Sequence, residues 1–438
     1  MIKRNSVKLR IKMDRNSIGD LFFVLLLSQD FLRILLGRCL GFFRLSRYSH
    51  VITSIVIFIP FLWCHVNIKT KRMKISKRVA KACLFILCII CFFVVSYICH
   101  PSYAEWYLRD TYGVWDAVFS PASGSIYTIL AFTVVRNKEH IVKNFKYIAI
   151  MKFLACLYQV FTALSRGYWE AYDSKGEIIE STYNVDFGYK AAFAGLLLLL
   201  YFILEKKKIY RIFYLTGSLI STLWVVIYGS RGAIFAYGIG LIFFLGYYIR
   251  ALPKVKQLLI WCVSLLGLIG ISTFYETAVS GIYFLLNKSN INSRTIAMLL
   301  DGSFMNENGR DRISSMTLEL IKNQGIFGSG AFGDRPLIGP HYYWGYCHNI
   351  ALEFLVDFGV ILGTILLVVL AVKCITYYLN CDSWEQAGIF IAIFAVNIKL
   401  FFSDTFWGFS YFWLLLSCLF FMDPKVQNSR FIRKLVYK

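Results

Sequence analysis

The sequence predicts an all-α protein: a polytopic membrane helix bundle of about twelve spans, with cytoplasmic N- and C-termini and one large helical extracytoplasmic loop. Three observations lead there. Hydrophobic residues fill 58% and aromatics 18% of the 438 positions, with a mean hydropathy of +0.59, beyond the roughly half-apolar composition of soluble domains. Apolar segments close to the ~20 residues that cross a bilayer recur along the chain. Lys and Arg gather in alternate connections between those segments.

The expected spans are 18–37, 48–66, 82–99, 117–135, 147–165, 187–204, 212–228, 232–249, 257–275, 349–372, 386–402 and 406–422. The first is interrupted by Gln29, Asp30 and Arg33. Only Gly229-Ser230-Arg231 separates 212–228 from 232–249, so a tight turn is expected there. Helix is the expected state throughout, because unpaired backbone groups find no water at membrane depth. The chain then divides into an N-terminal bundle of about nine spans (1–275), an extracytoplasmic loop (276–347), C-terminal spans (348–422) and a basic cytoplasmic tail (423–438).

The formal charge of +22 could suggest a nucleic-acid partner, but its distribution excludes one. With the N-terminus inside, the cytoplasmic segments hold 30 Lys and Arg and the longer external segments hold 13. That asymmetry sets topology and contacts anionic lipid. Arg33, Lys152, Lys190 and Lys399 are the four cations inside spans. The basic start followed by an interrupted apolar stretch reads as an uncleaved first span. Most of the 12 cysteines fall inside spans as small apolar filler. Cys39, Cys99 and Cys347 lie in or near outer loops, and their spacing argues for no particular pairing.

The external loop 276–347 is 72 residues long and nearly neutral. Ser293 can cap a short helix through Leu300, ended by Asp301-Gly302. Asn308 can cap a second helix with Ile313, Met316, Leu320 and Ile321 at helical spacing and Gly325 past its end. The loop thus reads as a helical cap that leans on the bundle, too small to bury a core alone. Two smaller external loops are aromatic: Tyr103, Trp106, Tyr107, Tyr112 and Trp115 in one, Tyr168, Trp169 and Tyr172 in the other. They fit an interfacial belt or stacking platforms for sugar rings.

Three groups could carry chemistry, each beside a plainer reading. Arg231, in Ser230-Arg231-Gly232, stands at an outer turn, either as a snorkelling surface residue or as a functional charge at the membrane boundary. Arg310, in Gly309-Arg310-Asp311-Arg312, opens the second cap helix, where guanidinium and helix N-terminus both favour phosphate; an ordinary solvated first turn looks the same. His348, with Asn349, sits at the outer end of the tenth span, as a structural imidazole or as an acid–base group near neutral pH. A metal site from His341 and His348 is possible, but no ligand spacing supports it, and no cofactor is expected. Arg312, Asn349, Tyr343 and Trp344 are further candidates for substrate contact. The two guanidinium sites and the His are all expected on the same external face, a combination that suits a reaction in which a phosphorylated leaving group departs and a hydroxyl attacks.

The stretch from about Ile227 to Gly363 resembles the bacterial O-antigen ligase and Wzy-type polysaccharide polymerase family. The matching residues are Ser230-Arg231-Gly232; Gly309-Arg310; Gly325-Ile326-Phe327-Gly328-Ser329-Gly330-Ala331-Phe332; and His348-Asn349-x-x-Leu352-Glu353-x-x-x-Asp357-x-Gly359-x-x-x-Gly363. The resemblance implies a metal-independent inverting glycosyltransferase of the GT-C type, with polyprenyl-diphosphate-linked glycans as donor and acceptor. Arg231 and Arg310 would hold the diphosphate and His348 would activate the acceptor hydroxyl. Glu353 and Asp357, on one stripe of the tenth span, would orient these groups or pair with an Arg. Ser314 stands where the family often has Trp. The implied reaction joins undecaprenyl-diphosphate-linked repeat units into surface polysaccharide. A flippase and a chain-length regulator of the same pathway are implied partners. A ligase moving finished polymer shares the donor chemistry, and a flippase of lipid-linked sugars is the alternative from a different class.

Overall fold

The computed structural model describes residues 15–422, apart from 44, 46–47, 68–71, 74, 122–124, 136, 173–177, 182, 251, 289–292, 304–309 and 343–344. The expected cap at Asn308, the residue Gly309, the candidates Tyr343 and Trp344, and the tail 423–438 therefore lie outside the described residues.

The chain begins with α1 (Arg15–Leu27), α2 (Gln29–Phe42), α3 (Ser49–His65), the hairpin β1 (Val66–Asn67) and β2 (Arg72–Met73), and α4 (Lys77–Cys99). Next come α5 (Ala104–Tyr107), α6 (Ala131–Val134), α7 (Lys138–Arg166), the antiparallel hairpin β3 (Trp169–Tyr172) and β4 (Ile178–Ser181), α8 (Val185–Leu204), α9 (Lys208–Tyr228), α10 (Arg231–Arg250) and α11 (Lys254–Lys288). The cap holds α12 (Arg294–Leu300), α13 (Arg310–Asn323) and α14 (Arg335–Ile338), and the chain closes with α15 (Ile350–Phe358), α16 (Val360–Asn380), α17 (Trp384–Asn397) and α18 (Ser410–Phe421). The architecture is all-α with two small hairpins.

Among the described residues, seven helices are long and apolar enough to cross a membrane: Lys77–Cys99, Lys138–Arg166, Val185–Leu204, Lys208–Tyr228, Arg231–Arg250, Val360–Asn380 and Trp384–Phe401. The other expected spans take different forms. The segment 18–37 breaks at Ser28 into α1 and α2, beside the polar residues that interrupt its sequence. Segments 48–66 and 406–422 yield apolar helices of 17 and 12 residues. The expected 117–135 span is a π turn (Trp115–Phe119), a 3-10 helix (Ile126–Leu130) and the four-residue α6. Pro121 starts the gap between them, and buried Ile126, Ile129 and Phe132 line the pieces; irregular backbone at membrane depth is tolerated where protein covers it. Segment 257–275 lies inside α11, which continues past the expected boundary at 275 to Lys288.

The core is built around α8. It packs against α7, α9, α10 and α17, and Phe187, Ala191, Ala192, Phe193, Ala194, Leu196 and Leu197 are fully shielded. Small residues permit that density. A Cβ on Gly188 would stand 2.6 Å from the Gly229 Cα, so only glycine lets the start of α8 lie against the α9–α10 turn.

Candidate active site

The tenth expected span is not continuous. Gly359 adopts φ +81 between α15 and α16, and a Cβ there would meet the Ile326 carbonyl oxygen at 2.0 Å. His348 therefore precedes a short nine-residue helix, Ile350–Phe358, packed inside the protein, and of the two pieces α16 alone is long enough to cross. Asn349 caps α15, its side-chain oxygen accepting from the Ala351 and Leu352 amides at 2.9 and 3.3 Å.

The glycine-rich segment is a strap across α15. Gly325, Gly328 and Gly330 all have φ +77, a conformation glycine adopts without steric penalty. The Ser329 amide donates to Val356 O at 2.7 Å, Gln324 Nε2 to Leu355 O at 2.6 Å, and the Ala331 amide to Ser96 Oγ at 2.9 Å. Tyr103 and Tyr107 donate to the Ser329 and Ala331 carbonyls at 3.1 and 2.8 Å. Trp106 lies where a Gly339 Cβ would be, 1.8 Å from its ring. These three loop aromatics therefore pack the cap onto the bundle, whereas Trp115 stays 66% exposed.

The cap helices form largely as their sequence directs. Ser293 Oγ accepts from the Ile296 amide at 3.3 Å, and Gly302 (φ +71) follows the end of α12. Ser293 and Thr295 also donate to Ile227 O and Gly229 O, both at 2.5 Å, pinning α12 to the α9–α10 turn. Ile313 and Thr317 of α13 are buried, and Ile313 joins a small cluster with Ile338 and Cys347. Ser314 is half-buried beside them.

Beneath the cap lies a polar knot that inspection of the sequence did not anticipate. Arg335 is buried, its guanidinium 3.2 Å from Asp334 and 3.7 Å from Glu353, above the rings of Phe332 and Tyr346 at 4.4 and 5.0 Å. Asp334 also accepts from the Cys347 amide at 2.9 Å, which holds the residue before His348. Glu353 accepts from Thr405 Oγ1 and, at 3.1 Å, from the Phe406 amide. Asp357 accepts from Trp407 Nε1 at 2.6 Å. Glu353 thus pairs with an arginine, but with Arg335 rather than Arg231 or Arg310. Asp334-Arg335 carried no signal of this burial, since adjacent opposite charges beside a proline are equally stable on a solvated turn.

Arg231 and Arg310 are each the first residue of a helix, α10 and α13. Arg310 is surface-exposed, and partial burial of its guanidinium together with the neighbouring Arg231 holds it below its usual range, so the two cations share one field. Arg312 is exposed on α13, two positions on and hence on another face. His348 is half-buried with φ +56, a conformation costing a non-glycine residue about 1–3 kcal/mol and often retained at functional sites. Its ring centroid lies 4.5 Å from that of Tyr346. Burial first, then Arg310, Arg335 and Lys399, pushes the His348 imidazole down to about 3, so it is neutral at physiological pH. Cys39, Cys99 and Cys347 are free thiols. Among the described residues no group of three or more His, Cys, Asp and Glu could hold a metal ion.

The sequence from 216 to 368 matches the Wzy_C family model, described as O-Antigen ligase. The match starts within α9, ends within α16, and takes in Arg231, Arg310, His348, Glu353 and Asp357. No curated protein matches the chain. The protein is thus a multi-pass membrane protein carrying, over residues 216–368, a domain of the Wzy_C O-antigen ligase family of polysaccharide biosynthesis.

Proposed function

We propose that the protein is a Wzy-type polymerase that extends surface polysaccharide on the outer face of a bacterial cell membrane by joining polyprenyl-diphosphate-linked repeat units. The observation that carries this reading is a neutral imidazole set in a positive field: His348 within electrostatic reach of Arg310, itself within reach of Arg231. The two arginines receive the donor diphosphate, and membrane lipid surrounds its polyprenyl chain. The acceptor hydroxyl oxygen bonds to the anomeric carbon as the bond from that carbon to the diphosphate oxygen breaks. The hydroxyl proton passes to His348, and the lipid diphosphate leaves with the bonding electron pair, inverting the anomeric centre. Bound diphosphate offsets the Arg310 charge that weakens the imidazole as a base, so donor binding strengthens it. Neither a metal nor a cofactor takes part in this sequence of steps.

Replacing His348 by Ala leaves the protein in the membrane and lowers transfer by about 10²–10⁴-fold, the range for a lost general base. Long chains of normal yield from that variant would sink the assignment. A ligase acting on a finished polymer is distinguished by supplying two purified lipid-linked repeat units and no other acceptor: dimers and longer products mark a polymerase, their absence a ligase. A flippase would need a path through the bundle, and glycan translocation surviving loss of both Arg310 and His348 would mark one.

A further inference from the structure

The four cations inside the expected spans come together. Arg33, Lys152, Lys190 and Lys399 all line one recess of about 200 Å³, with Asp30, Asp186 and Asp404 among its other walls. Intramembrane charge is expensive and marks function by default. The Lys152 Nζ lies 2.7 Å and the Lys190 Nζ 3.9 Å from Asp30. Lys399 lies 2.6 Å from Asp186 and also pairs with Asp404. One set thus carries two cations on one acid, the other two acids on one cation. Asp186 marks the mouth at 56% exposed, while Lys152 and Lys399 form the floor at 5%.

The recess adjoins the Ser230-Arg231-Gly232 turn. Tyr189 lines it, and the Tyr189 hydroxyl stands 2.1 Å from where a Gly232 Cβ would be. Lys399 sits 5.6 Å over the Tyr189 ring and within electrostatic reach of His348. Three carboxylates in the walls offset three of the four cations, which leaves little net charge for a diphosphate, and the seven charged groups exclude an acyl or prenyl tail. Sugar hydroxyls suit the lining: each can donate to a carboxylate and accept from an ammonium. Phe409 and Tyr411 also line the recess, with Lys399 4.8 Å over the Phe409 ring and Lys152 5.5 Å over the Tyr411 ring, so these rings help to hold the ammonium groups that would meet the sugar hydroxyls.

We propose that this recess is a saccharide subsite that takes one pyranose ring of the acceptor, between the Lys152–Asp30–Lys190 and Asp186–Lys399–Asp404 sets. Its assignment to the acceptor rests on the transferase reading above; its binding of a sugar ring does not. The test uses the full-length protein in lipid nanodiscs and saturation-transfer NMR with methyl α-glucoside, methyl α-galactoside and methyl N-acetyl-α-glucosaminide as probes. At least one probe gives signal with wild type and equally with His348→Ala. Lys190→Ala weakens it by roughly tenfold, the loss of one charge-assisted hydrogen bond. Asp186→Asn at the exposed mouth is the second variant should Lys190→Ala misfold, and thermal unfolding with farnesyl diphosphate reports whether either variant is folded. No signal from any probe, or an undiminished signal in a folded variant, overturns the subsite. Normal polymer from His348→Ala would instead overturn the transferase reading and leave a sugar signal standing.

Discussion

Arg310 and Arg335 belong to the same cap, yet their surroundings are opposite. Arg310 opens α13 with a second guanidinium nearby and a neutral histidine within reach. Arg335 is buried between Asp334 and Glu353, two aromatic rings beneath it. A cation that repels its neighbours holds favourable energy in reserve for an anion; a cation already satisfied by carboxylates holds architecture. The knot around Arg335 fixes Cys347 and α15, and through them His348, while the proposed function gives Arg231 and Arg310 the donor diphosphate. Charge type alone does not separate these roles. The partners do.

The largest effect should come from Arg335→Ala, which strands two buried carboxylates and costs about 3–5 kcal/mol. Thermal unfolding of the purified protein checks it, and an unchanged midpoint would break the contrast between the two arginines. Adding Glu353→Gln to Arg335→Met should recover part of the loss, because the orphaned charge is removed. By contrast, Arg310→Ala or Arg231→Ala should leave the midpoint in place and lower transfer by about 10²–10³-fold, as for loss of one charge-stabilising donor. Large destabilisation by Arg310→Ala would move it into the architectural class.

A subtler consequence concerns pH. Because the free-protein imidazole is pushed down to about 3, kcat/KM should hold as pH falls through the ordinary imidazole range near 6.5. The acid limb of kcat should lie higher, since the bound diphosphate offsets Arg310. A kcat/KM profile that falls below pH 6.5 would show that burial and the neighbouring cations do not hold the His348 imidazole down. For stability the sign is likewise set: a histidine with a depressed folded value contributes nothing unfavourable above 6.5 and destabilises as pH falls from there towards 3. The smallest effect should come from Arg312→Ala, exposed on another face of α13, with transfer changed by less than about twofold.

Much of the cap was legible because its signals are local. Ser293 as a cap, Gly302 and Gly325 as terminators, and Ile313 on the buried face follow from backbone geometry and helical period. Span lengths were less legible. Composition alone marks 117–135 and 349–372 as crossings, but Pro121 and the left-handed Gly359 break them, and surrounding protein covers the exposed backbone. The aromatics at 103, 106 and 107 read first as an interfacial belt and second as a sugar platform, because their actual partners, the strap carbonyls and Gly339, lie more than 200 residues away.

By itself the sequence determined a membrane-embedded helical protein, the rough order of its segments, and the candidates Arg231, Arg310 and His348, since hydropathy, capping and motif order are properties of neighbouring residues. Only the tertiary structure decided that Glu353 and Asp357 belong to a knot closed by Arg335 and Trp407. It alone decided that the scattered Arg33, Lys152, Lys190 and Lys399 share one recess. The physical reason is the same in both cases: a buried charge is stable only beside partners that distant helices deliver, and chain position carries no record of which helices meet.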